Sequence, residues 1–277
     1  MLKPEANGNP DFNRVALAWE KWEDWLEPSY RPFNEIFLRA AGVAEGDHVL
    51  DIGSGSGYPS ILEAQEVGIH GTVTGLDISE TMLEVAKGRA KTHGLTNIQF
   101  KQCDVDSLPF PDNHFDCASA RFSLMFVKSP NHTLQEVLRI LKKGARFAAA
   151  VWASPDKNPL PRKILAHYYD LPEESPETPG PFRFSRNGVL AQKMRETGFQ
   201  EPQENEVPVQ EAFRSGQQYV EHLLEASALW GSLLLKLDPE RFAEATEALI
   251  HAAEEFRAGD AIYVPRCAFI VSASKES

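Results

Sequence analysis

The chain is poor in cysteine, with three among its 277 residues, at positions Cys103, Cys117 and Cys267. No two of them are spaced as C-x-x-C, the spacing typical of redox pairs and many metal sites. Cys103 and Cys117 fall in or beside predicted strands, where a reduced and buried thiol is the usual arrangement. The cysteines therefore predict a reducing environment.

Long apolar runs are also missing. No run approaches the roughly 18 apolar residues of a membrane-spanning helix. The opening stretch, MLKPEANGNPDF, has no apolar core of the kind that a signal peptide needs. We therefore expect no membrane insertion, and together with the cysteine content these absences predict a cytoplasmic protein.

Positive charge is scarce, because 28 Lys and Arg residues stand against 40 Asp and Glu, which gives a net charge of −12. A nucleic-acid-binding protein normally carries a basic face, and no cluster of Lys and Arg is visible here. The balance argues against DNA, RNA and anionic membranes as main partners, and it favours a small-molecule substrate. The sequence does not indicate an oligomeric state.

What the sequence does contain is an alternation of short apolar runs with amphipathic stretches. The apolar runs predict five strands, at 48–52, 72–78, 98–103, 115–120 and 146–153. The amphipathic stretches predict helices between them, and the last of these, HTLQEVLRILKKG, is expected to end at Gly144. This alternation predicts an α/β fold, in which helices cover a parallel sheet.

The texture changes after Trp152, where a stretch rich in proline and acidic residues begins. We expect a single domain over 1–277, with insertions at about 154–184 and 214–260. Residues 215–237 predict one helix inside the second insertion, and a long final strand closes the chain. An aromatic, helical segment over 12–41 precedes the first strand.

Residues 49–57, VLDIGSGSG, raise the question of what glycines at 53, 55 and 57 are for. Gly-Ser repeats often form flexible linkers, but ordered segments are predicted on both sides here. A strand ending in Asp51, a tight turn and a helix opening at Pro59 is typical of a nucleotide site. Glycine lets a ligand approach the main chain, and a helix N-terminus offers free N–H groups to an anion.

The spacing of these glycines narrows the choice of ligand. Dinucleotide enzymes use G-x-G-x-x-G, whereas this chain has D-x-G-x-G-x-G from Asp51 to Gly57. Asp77, at the end of the second strand, is placed to accept both hydroxyls of a ribose. A ribose and a small anion without a pyrophosphate suggest an adenosyl amino acid.

These motifs resemble a known family. VLDIGSGSGYPS with VTGLDISETML resembles the class I S-adenosylmethionine-dependent methyltransferases. FDCASARFSLMFVKSPNHTLQEVLRILKKGARFAAAVWA resembles their ubiquinone/menaquinone-biosynthesis-like branch. The resemblance covers 44–153, which it implies to be the cofactor-binding core, and weakens over the last third. It implies a Rossmann-like, seven-stranded, mostly parallel sheet with helices on both faces, an antiparallel last strand and helical insertions that form a lid.

The resemblance also implies the cofactor, S-adenosyl-L-methionine with S-adenosyl-L-homocysteine as its product, and the residues that bind it. The positions expected around the methionine half are Asp51, Gly53, Ser54, Gly55, Gly57, Ala120 and Arg121. Those expected around the ribose and adenine are Asp77, Ile78, Met82, Asp104 and Val105. Asp106 is an alternative to Asp104, and Arg121 is equally expected to pair with an acid.

Aromatic residues indicate the acceptor of the methyl group. Trp19, Trp22 and Trp25 recur at intervals of three, which places them along one helix face, where packing is the more usual role. We nevertheless expect an apolar or aromatic acceptor of metabolite size. The candidate acceptor-binding residues are Trp19, Trp22, Tyr30, Phe122, Met125, Trp152 and Trp230.

A general base is harder to assign. Methylation of a weakly acidic oxygen or carbon would use one, and histidine is the usual choice. His132, near the start of the helix after the fourth strand, is the best placed candidate, and His167 and His222 are others. Nothing resembles a metal site, since there is no H-x-x-x-H pair and no clustered Cys and His.

Other functions remain open at this point. A fold of this kind can bind the same cofactor and catalyse a cyclisation or a rearrangement instead, since fold alone does not fix function. A dinucleotide-dependent oxidoreductase and a binding protein without catalysis are further alternatives. A product heavier by one methyl group distinguishes methyl transfer from all of them.

Overall fold

The computed structural model describes residues 11–171 and 175–277. The first ten residues, which hold most of the opening stretch discussed above, lie outside the described residues. So do residues 172–174, which fall within the first expected insertion.

The described residues form helices and strands in an order that alternates through the first half of the chain. The helices are α1 (Phe12–Ala41), α2 (Tyr58–Val67), α3 (Glu80–Thr92), α4 (Pro130–Ile140), α5 (Arg162–Leu165), α6 (Val189–Glu196), α7 (Gly216–Ala226), α8 (Trp230–Leu235) and α9 (Pro239–Glu254). The strands are β1 (His48–Ile52), β2 (Thr72–Asp77), β3 (Ile98–Gln102), β4 (Phe115–Arg121), β5 (Leu141–Trp152), β6 (Gln200–Phe213), β7 (Arg257–Ala258) and β8 (Ala261–Ser274).

The strands form one sheet in the order β3-β2-β1-β4-β5-β8-β6, and the two-residue β7 pairs with β8 off this path. Strands β1 to β5 pair in parallel, whereas β8 lies antiparallel to both β5 and β6. The predicted α/β fold with a mostly parallel sheet and an antiparallel last strand is therefore confirmed. The short β7 was not predicted.

Helices cover both faces of this sheet, as the alternation of buried residues along β5 shows. Ala148 and Ala150 belong to a core cluster with α1, α7 and α9. Phe147 and Val151 belong to a second cluster with α4 and α6. Because successive strand residues point to opposite faces, the two clusters lie on opposite sides of the sheet.

Three element boundaries differ from those predicted, and one of them is the start of β5, at Leu141 rather than at 146. Helix α4 ends at Ile140 rather than at Gly144, because Leu141 already pairs with Phe115 of β4. The helix predicted over 215–237 is two helices, α7 and α8. Ser227 caps the C-terminus of α7. Its Oγ accepts a hydrogen bond of 3.1 Å from the N–H of Trp230, the first residue of α8.

The carboxyl ends of β1, β2 and β4 meet at one edge of the sheet, where open α/β folds bind their ligands. Helix α1 contacts α3, α7 and β6 as well as the sheet. Asp11 caps its N-terminus, since the Asp11 side chain accepts a hydrogen bond from the Arg14 N–H, and the helix continues through Pro28 and Pro32. The 30-residue helix α1 thus lies beside the ligand-binding edge and contacts elements that are far from it in the sequence.

Candidate functional site

The turn after β1 holds three glycines in the left-handed region, with φ of 70° at Gly53, 53° at Gly55 and 88° at Gly57. A Cβ at position 53 would lie 2.3 Å from the Cβ of Ser123 in the loop after β4. No atom lies within 4 Å of a Cβ built at position 55. The turn therefore packs tightly against β4 at its start and leaves its centre open.

Asp77, the last residue of β2, holds this turn in place. Its Oδ2 accepts a hydrogen bond from the Gly55 N–H at 2.9 Å, and its Oδ1 accepts one from the Ser79 N–H at 2.8 Å. Burial raises the pKa of Asp77, and these backbone hydrogen bonds oppose the shift. The carboxylate thus joins the ends of β1 and β2 at the edge of the sheet.

A cavity of about 350 Å³, the first cavity, lies over this turn. Nine of the residues expected to bind the cofactor line it: Gly53, Ser54, Gly55, Asp77, Ile78, Met82, Asp104, Val105 and Arg121. Asp104 rather than Asp106 reaches the cavity, because the Asp106 carboxylate accepts a hydrogen bond from Thr133 Oγ1 at 2.9 Å. The lining of the cavity therefore combines carboxylates, Asp77 and Asp104, with apolar side chains, Ile78, Met82 and Val105, beside the glycine turn.

Three of the expected cofactor residues, Asp51, Gly57 and Ala120, lie behind the wall of the first cavity and do not line it. Asp51 is fully buried, and its Oδ2 accepts a hydrogen bond from Ser60 Oγ at 2.5 Å. Gly57 packs against α3, since a Cβ there would lie 2.8 Å from the Cβ of Ala86. The structure thus brings these residues to the support of the turn rather than to the ligand side.

Asp51 belongs to a buried pair of carboxyl groups. Ser119 Oγ lies 3.4 Å from Asp51 Oδ1 and 2.5 Å from Oε1 of Glu63, which is also fully buried. Burial raises the pKa of Asp51 to about 6. Burial and the neighbouring Asp51 raise the pKa of Glu63 well above its ordinary range. Both carboxyl groups below the turn therefore keep their protons to a higher pH than exposed carboxyl groups do.

A second cavity of about 220 Å³ adjoins the first. It is lined from α1, α7, α8 and the ends of β4, β5, β6 and β8. Six of the expected acceptor residues line it: Trp19, Tyr30, Phe122, Met125, Trp152 and Trp230. Trp22 does not, because it packs in the core and its Nε1 donates a hydrogen bond to Glu225 Oε2 at 2.7 Å. The second cavity is therefore largely aromatic.

Glu23 lies where the two cavities meet and lines both of them, as Arg121 does. It is 8% exposed, and its Oε2 accepts hydrogen bonds from Arg89 Nη1 and Ser56 Oγ, each at 2.6 Å. Its Oε1 lies 3.8 Å from Arg121 Nη2. Burial raises the pKa of Glu23, and the two guanidinium groups oppose that shift.

Sequence reasoning missed Glu23, which lies among several acidic residues in WEKWEDWLE. The signal was nevertheless present, because Trp19, Glu23 and Leu26 fall four and three residues apart and so share one helix face. Acidic side chains usually lie on the solvent-exposed face of a helix, so the position of Glu23 on the aromatic face indicates a buried carboxylate. What the sequence does not give is its partner, since Arg89 lies 66 positions further on.

The structure does not bring His132 to either cavity. It is exposed at the start of α4 and lines neither the first nor the second. His167 is exposed as well, and its Nδ1 lies 3.1 Å from the carbonyl oxygen of Lys163. Of the three candidate bases, only His222 lines a cavity, the second one.

Residues 11–171 and 175–277 hold neither a candidate membrane-spanning helix nor a candidate metal site. Within these ranges no helix is both long and apolar enough to cross a membrane. Nor does any group of three or more His, Cys, Asp or Glu side chains in them have the placement of a metal site.

The fold and this site define a class of protein. A Rossmann-like sheet with a glycine turn after β1 and an acid after β2 is the arrangement of the class I S-adenosylmethionine-dependent methyltransferases, which the motif resemblance implied. A family model described as "Methyltransferase domain" matches residues 44–207, more than half of the chain. The chain therefore belongs to this family.

Individual proteins agree with this assignment. The chain is 34% identical over 161 residues to the ubiquinone/menaquinone biosynthesis C-methyltransferase UbiE of Pseudomonas entomophila, over 57% of this chain and 61% of the relative. The match thus spans less than two thirds of that relative. A SAM-dependent methyltransferase structure from Aquifex aeolicus matches with a TM-score of 0.52 at 25% identity, over 68% of this chain and 91% of that one.

A second solved structure has a different printed activity. The [4+2]-cyclase SpnF matches with a TM-score of 0.57 over 97% of both chains, at 20% sequence identity. At this identity the likeness shows the fold alone. The same architecture is therefore compatible with more than one reaction.

Proposed function

We propose that this protein transfers a methyl group from S-adenosyl-L-methionine to a small apolar or aromatic metabolite and releases S-adenosyl-L-homocysteine. The observation that carries the proposal is that a cavity over a glycine turn opens beside a second, aromatic cavity. Family membership supports the chemistry, and the second cavity supports the choice of acceptor.

The residues of the first cavity fit the parts of this nucleoside. Asp77 supplies the carboxylate that a ribose diol requires. Ile78, Met82 and Val105 supply an apolar slot of the kind that an adenine ring fills. Gly55 leaves the main chain accessible, because no side chain stands over it. The volume of the first cavity, about 350 Å³, suits a ligand the size of this nucleoside.

We further propose that the acceptor cavity is covered by segments outside the nucleotide-binding core. The N-terminal helix, 12–41, supplies Trp19 and Tyr30, and the insertion 214–260 supplies Trp230. The first insertion, 154–184, contributes Pro181 to the same lining. These segments would exclude water from the reaction, in which charge disperses as the methyl group leaves its sulfonium.

The sulfonium supplies the activated methyl group, and the residues of this chain position the acceptor. Aligning two reacting atoms can contribute on the order of 7–11 kcal/mol. For an acceptor that loses a proton, we assign the proton to Glu23. Its Oε2 accepts hydrogen bonds from Arg89 and Ser56, whereas its Oε1 lies 3.8 Å from Nη2 of Arg121, which also lines both cavities. Burial raises the pKa of this carboxyl, which suits a proton acceptor.

A second function is a cyclisation or rearrangement in the same cavities. The fold that the chain shares with the [4+2]-cyclase SpnF is compatible with such a reaction, whereas family membership supports methyl transfer. Mass spectrometry of the product distinguishes the two. A product heavier by one methyl group supports methyl transfer, whereas an isomer of the substrate supports the second function.

Calorimetry with S-adenosyl-L-methionine and S-adenosyl-L-homocysteine tests the proposed cofactor site. We expect Asp77→Asn to weaken binding of both about 10- to 100-fold, because hydrogen bonds to a charged group contribute roughly 1.5–3 kcal/mol. Asp106→Asn is the matched control, since its carboxylate bonds to Thr133 and lines neither cavity. Absence of heat with folded wild-type protein contradicts the proposal, as does equal binding by both variants.

A further inference from the structure

We infer that the second cavity has a polar end, formed by Tyr219, His222 and Arg266, which receives a neutral oxygen atom of the bound compound, such as a carbonyl oxygen. The inference rests on the proposed function in one respect, namely that it takes the second cavity as the acceptor cavity. It adds a substrate class: an apolar or aromatic body with one oxygen at a fixed end.

The first reason is a concentration of polar atoms without partners. Nine buried side-chain nitrogen and oxygen atoms of the described residues have no hydrogen-bond partner, and four of them belong to these three side chains. They are Tyr219 Oη, both ring nitrogens of His222 and Arg266 Nε. Tyr219 is 1% exposed and His222 is 8% exposed. Buried polar groups are normally hydrogen-bonded, so their grouping points to a ligand.

The second reason is that all three side chains line the second cavity and are fixed there. The His222 ring packs against Trp22, with ring centroids 4.9 Å apart, and against Phe213 at 5.4 Å. The Arg266 guanidinium lies 4.3 Å from the ring centroid of Trp152. These ring contacts fix the side chains, as does the hydrogen bond of 3.1 Å that Arg266 Nη1 donates to the Leu160 carbonyl oxygen, so the remaining donors are preorganised.

The protonation states favour donors at this end. Burial, with a smaller effect of Arg266, lowers the pKa of His222 to about 3, so its ring is neutral near pH 7 and carries one N–H. Burial raises the pKa of Tyr219, whose hydroxyl therefore keeps its proton. Arginine keeps all of its N–H groups at any working pH. Each of the three side chains that line this end of the cavity thus carries a proton to donate, and an oxygen acceptor complements them.

The charges favour a neutral oxygen over a carboxylate. Arg266 Nε lies 3.8 Å from Glu211 Oε1, and Tyr30 Oη donates a hydrogen bond of 2.6 Å to that same oxygen. Glu211 therefore already offsets the positive charge of Arg266. An anion would add a second negative charge beside Glu211, which a low-dielectric site penalises.

The remainder of the cavity determines the rest of the compound. Leu26, Phe122, Met125, Leu223 and Trp230 line it with apolar surface. A body held against these side chains directs its polar atom toward Tyr219 and His222, since the apolar walls offer it no partner.

Thermal unfolding without ligand provides the first test. Tyr219→Phe removes a hydroxyl that has no partner, so we expect the Tm to stay unchanged or to rise by about 2–4 °C. Tyr169→Phe is the matched control. Its hydroxyl is buried, donates a hydrogen bond of 2.7 Å to the Leu233 carbonyl oxygen and lines neither cavity. This variant should lower the Tm by about 2–4 °C.

Binding of three matched probes to the protein saturated with S-adenosyl-L-homocysteine provides the second test. The probes are acetophenone, benzoate and ethylbenzene, and ligand-observed NMR titration measures their affinities. We expect acetophenone to bind about tenfold more tightly than ethylbenzene, and the variants Tyr219→Phe and His222→Phe to lose most of that difference. Tyr169→Phe should retain it.

Three results would overturn the inference. Equal binding of acetophenone and ethylbenzene shows that the cavity has no polar end, and tighter binding of benzoate shows an anion site. A fall in Tm for Tyr219→Phe equal to that for Tyr169→Phe shows that the hydroxyl is satisfied without a ligand. Probe selectivity is also measured without S-adenosyl-L-homocysteine, so failure of the nucleoside to bind contradicts the proposed function and leaves the polar end standing.

Discussion

Single residues at the end of β1 show how one motif combines different requirements. Two features prevent a side chain at position 53. One is the φ of 70° at Gly53, and the other is the close approach of Ser123. Gly55 is constrained by its φ of 53° alone, because the space beside it is open. The glycines of this regularly spaced motif therefore have different roles. Gly53 allows close packing, whereas Gly55 leaves the main chain exposed.

Gly53→Ala should destabilise the protein by roughly 3 kcal/mol or more. The new Cβ would overlap Ser123, and alanine would have to adopt the strained φ of this position. Gly55→Ala should cost only about 1 kcal/mol, from the φ alone. Ser123→Gly in the Gly53→Ala background should restore part of the loss by removing the overlap. Chemical denaturation measures all three. Equal losses in the two single variants would show that contact with Ser123 is not the constraint.

The sequence predicted much of the first cavity at this scale and less of the second. The glycines and Asp77 follow strands whose ends meet, so their positions depend on local chain order. Asp51 and Trp22 do not line the cavities, and the sequence does not show which side of a turn or helix a side chain occupies. His132 lines neither cavity, because proximity along the chain to β4 does not direct a side chain toward a cavity.

At the scale of elements, α1 lines both cavities, together with the end of β4 and the loop after it. Its residue Glu23 reaches Arg89 of α3 on one side, and Tyr30 reaches Glu211 of β6 on the other. Arg14 also donates a hydrogen bond of 2.7 Å to the carbonyl oxygen of Ser227, just beyond α7. The helix is thus attached to both halves of the molecule by polar contacts as well as by its aromatic face.

Glu23→Gln should lower the free energy of unfolding by about 3 kcal/mol, since it leaves the buried Arg89 with an incomplete charge partner. Asp24→Asn is the control on the same helix and the same guanidinium, but its side chain is 75% exposed, so we expect less than about 1 kcal/mol. Denaturant unfolding measures both. A similar small loss in the two variants would contradict the role of the buried pair.

Glu23→Gln also tests the proposed proton acceptor. Once an acceptor is known, the rate of methyl transfer by this variant should lose its dependence on pH on the acid side. The Asp24→Asn profile should match the wild type. A variant that is merely destabilised would instead keep the shape of the profile at a lower rate.

Elements themselves were predictable where periodicity was clear. Strands β1 to β4 were placed within one residue at each end, because short buried runs flanked by turns have little freedom. The end of α4 was not, since LKKG has no helix-breaking residue before Gly144 and pairing with Phe115 decides the boundary. The break between α7 and α8 likewise depends on close packing, because a Cβ at Gly231 would lie 2.3 Å from the Leu223 carbonyl oxygen.

Over the whole molecule, buried carboxyl groups make stability depend on pH. The pKa of Asp51 is about 6 in the fold, against an ordinary value of 3.8. The folded state therefore binds a proton more tightly than the unfolded state does. Between about pH 4 and pH 6 the free energy of unfolding falls as the pH rises, by about 3 kcal/mol from this group. Glu23 and Glu63 shift in the same direction.

Asp51→Asn should flatten the fall in Tm between pH 4 and pH 7, because the side chain no longer binds a proton. Asp116→Asn is a control of opposite sign. Burial alone would raise the pKa of Asp116, but hydrogen bonds from Lys142 and the His48 N–H lower it overall. Its loss should lower stability near pH 7 and leave the fall above pH 4 in place. Calorimetric scans across this range decide between these outcomes.

The long reach of α1 has a consequence for how the chain is made. Trp25 Nε1 donates a hydrogen bond to the carbonyl oxygen of Ala212, 187 residues later, and Trp22 bonds to Glu225, 203 residues later. The helix is therefore translated about 190–200 residues before these partners, which leaves its aromatic stripe uncovered for about 10–40 s at ordinary elongation rates of 5–20 residues per second. During that interval we expect the nascent chain to be prone to aggregation and to bind chaperones that recognise exposed apolar surface.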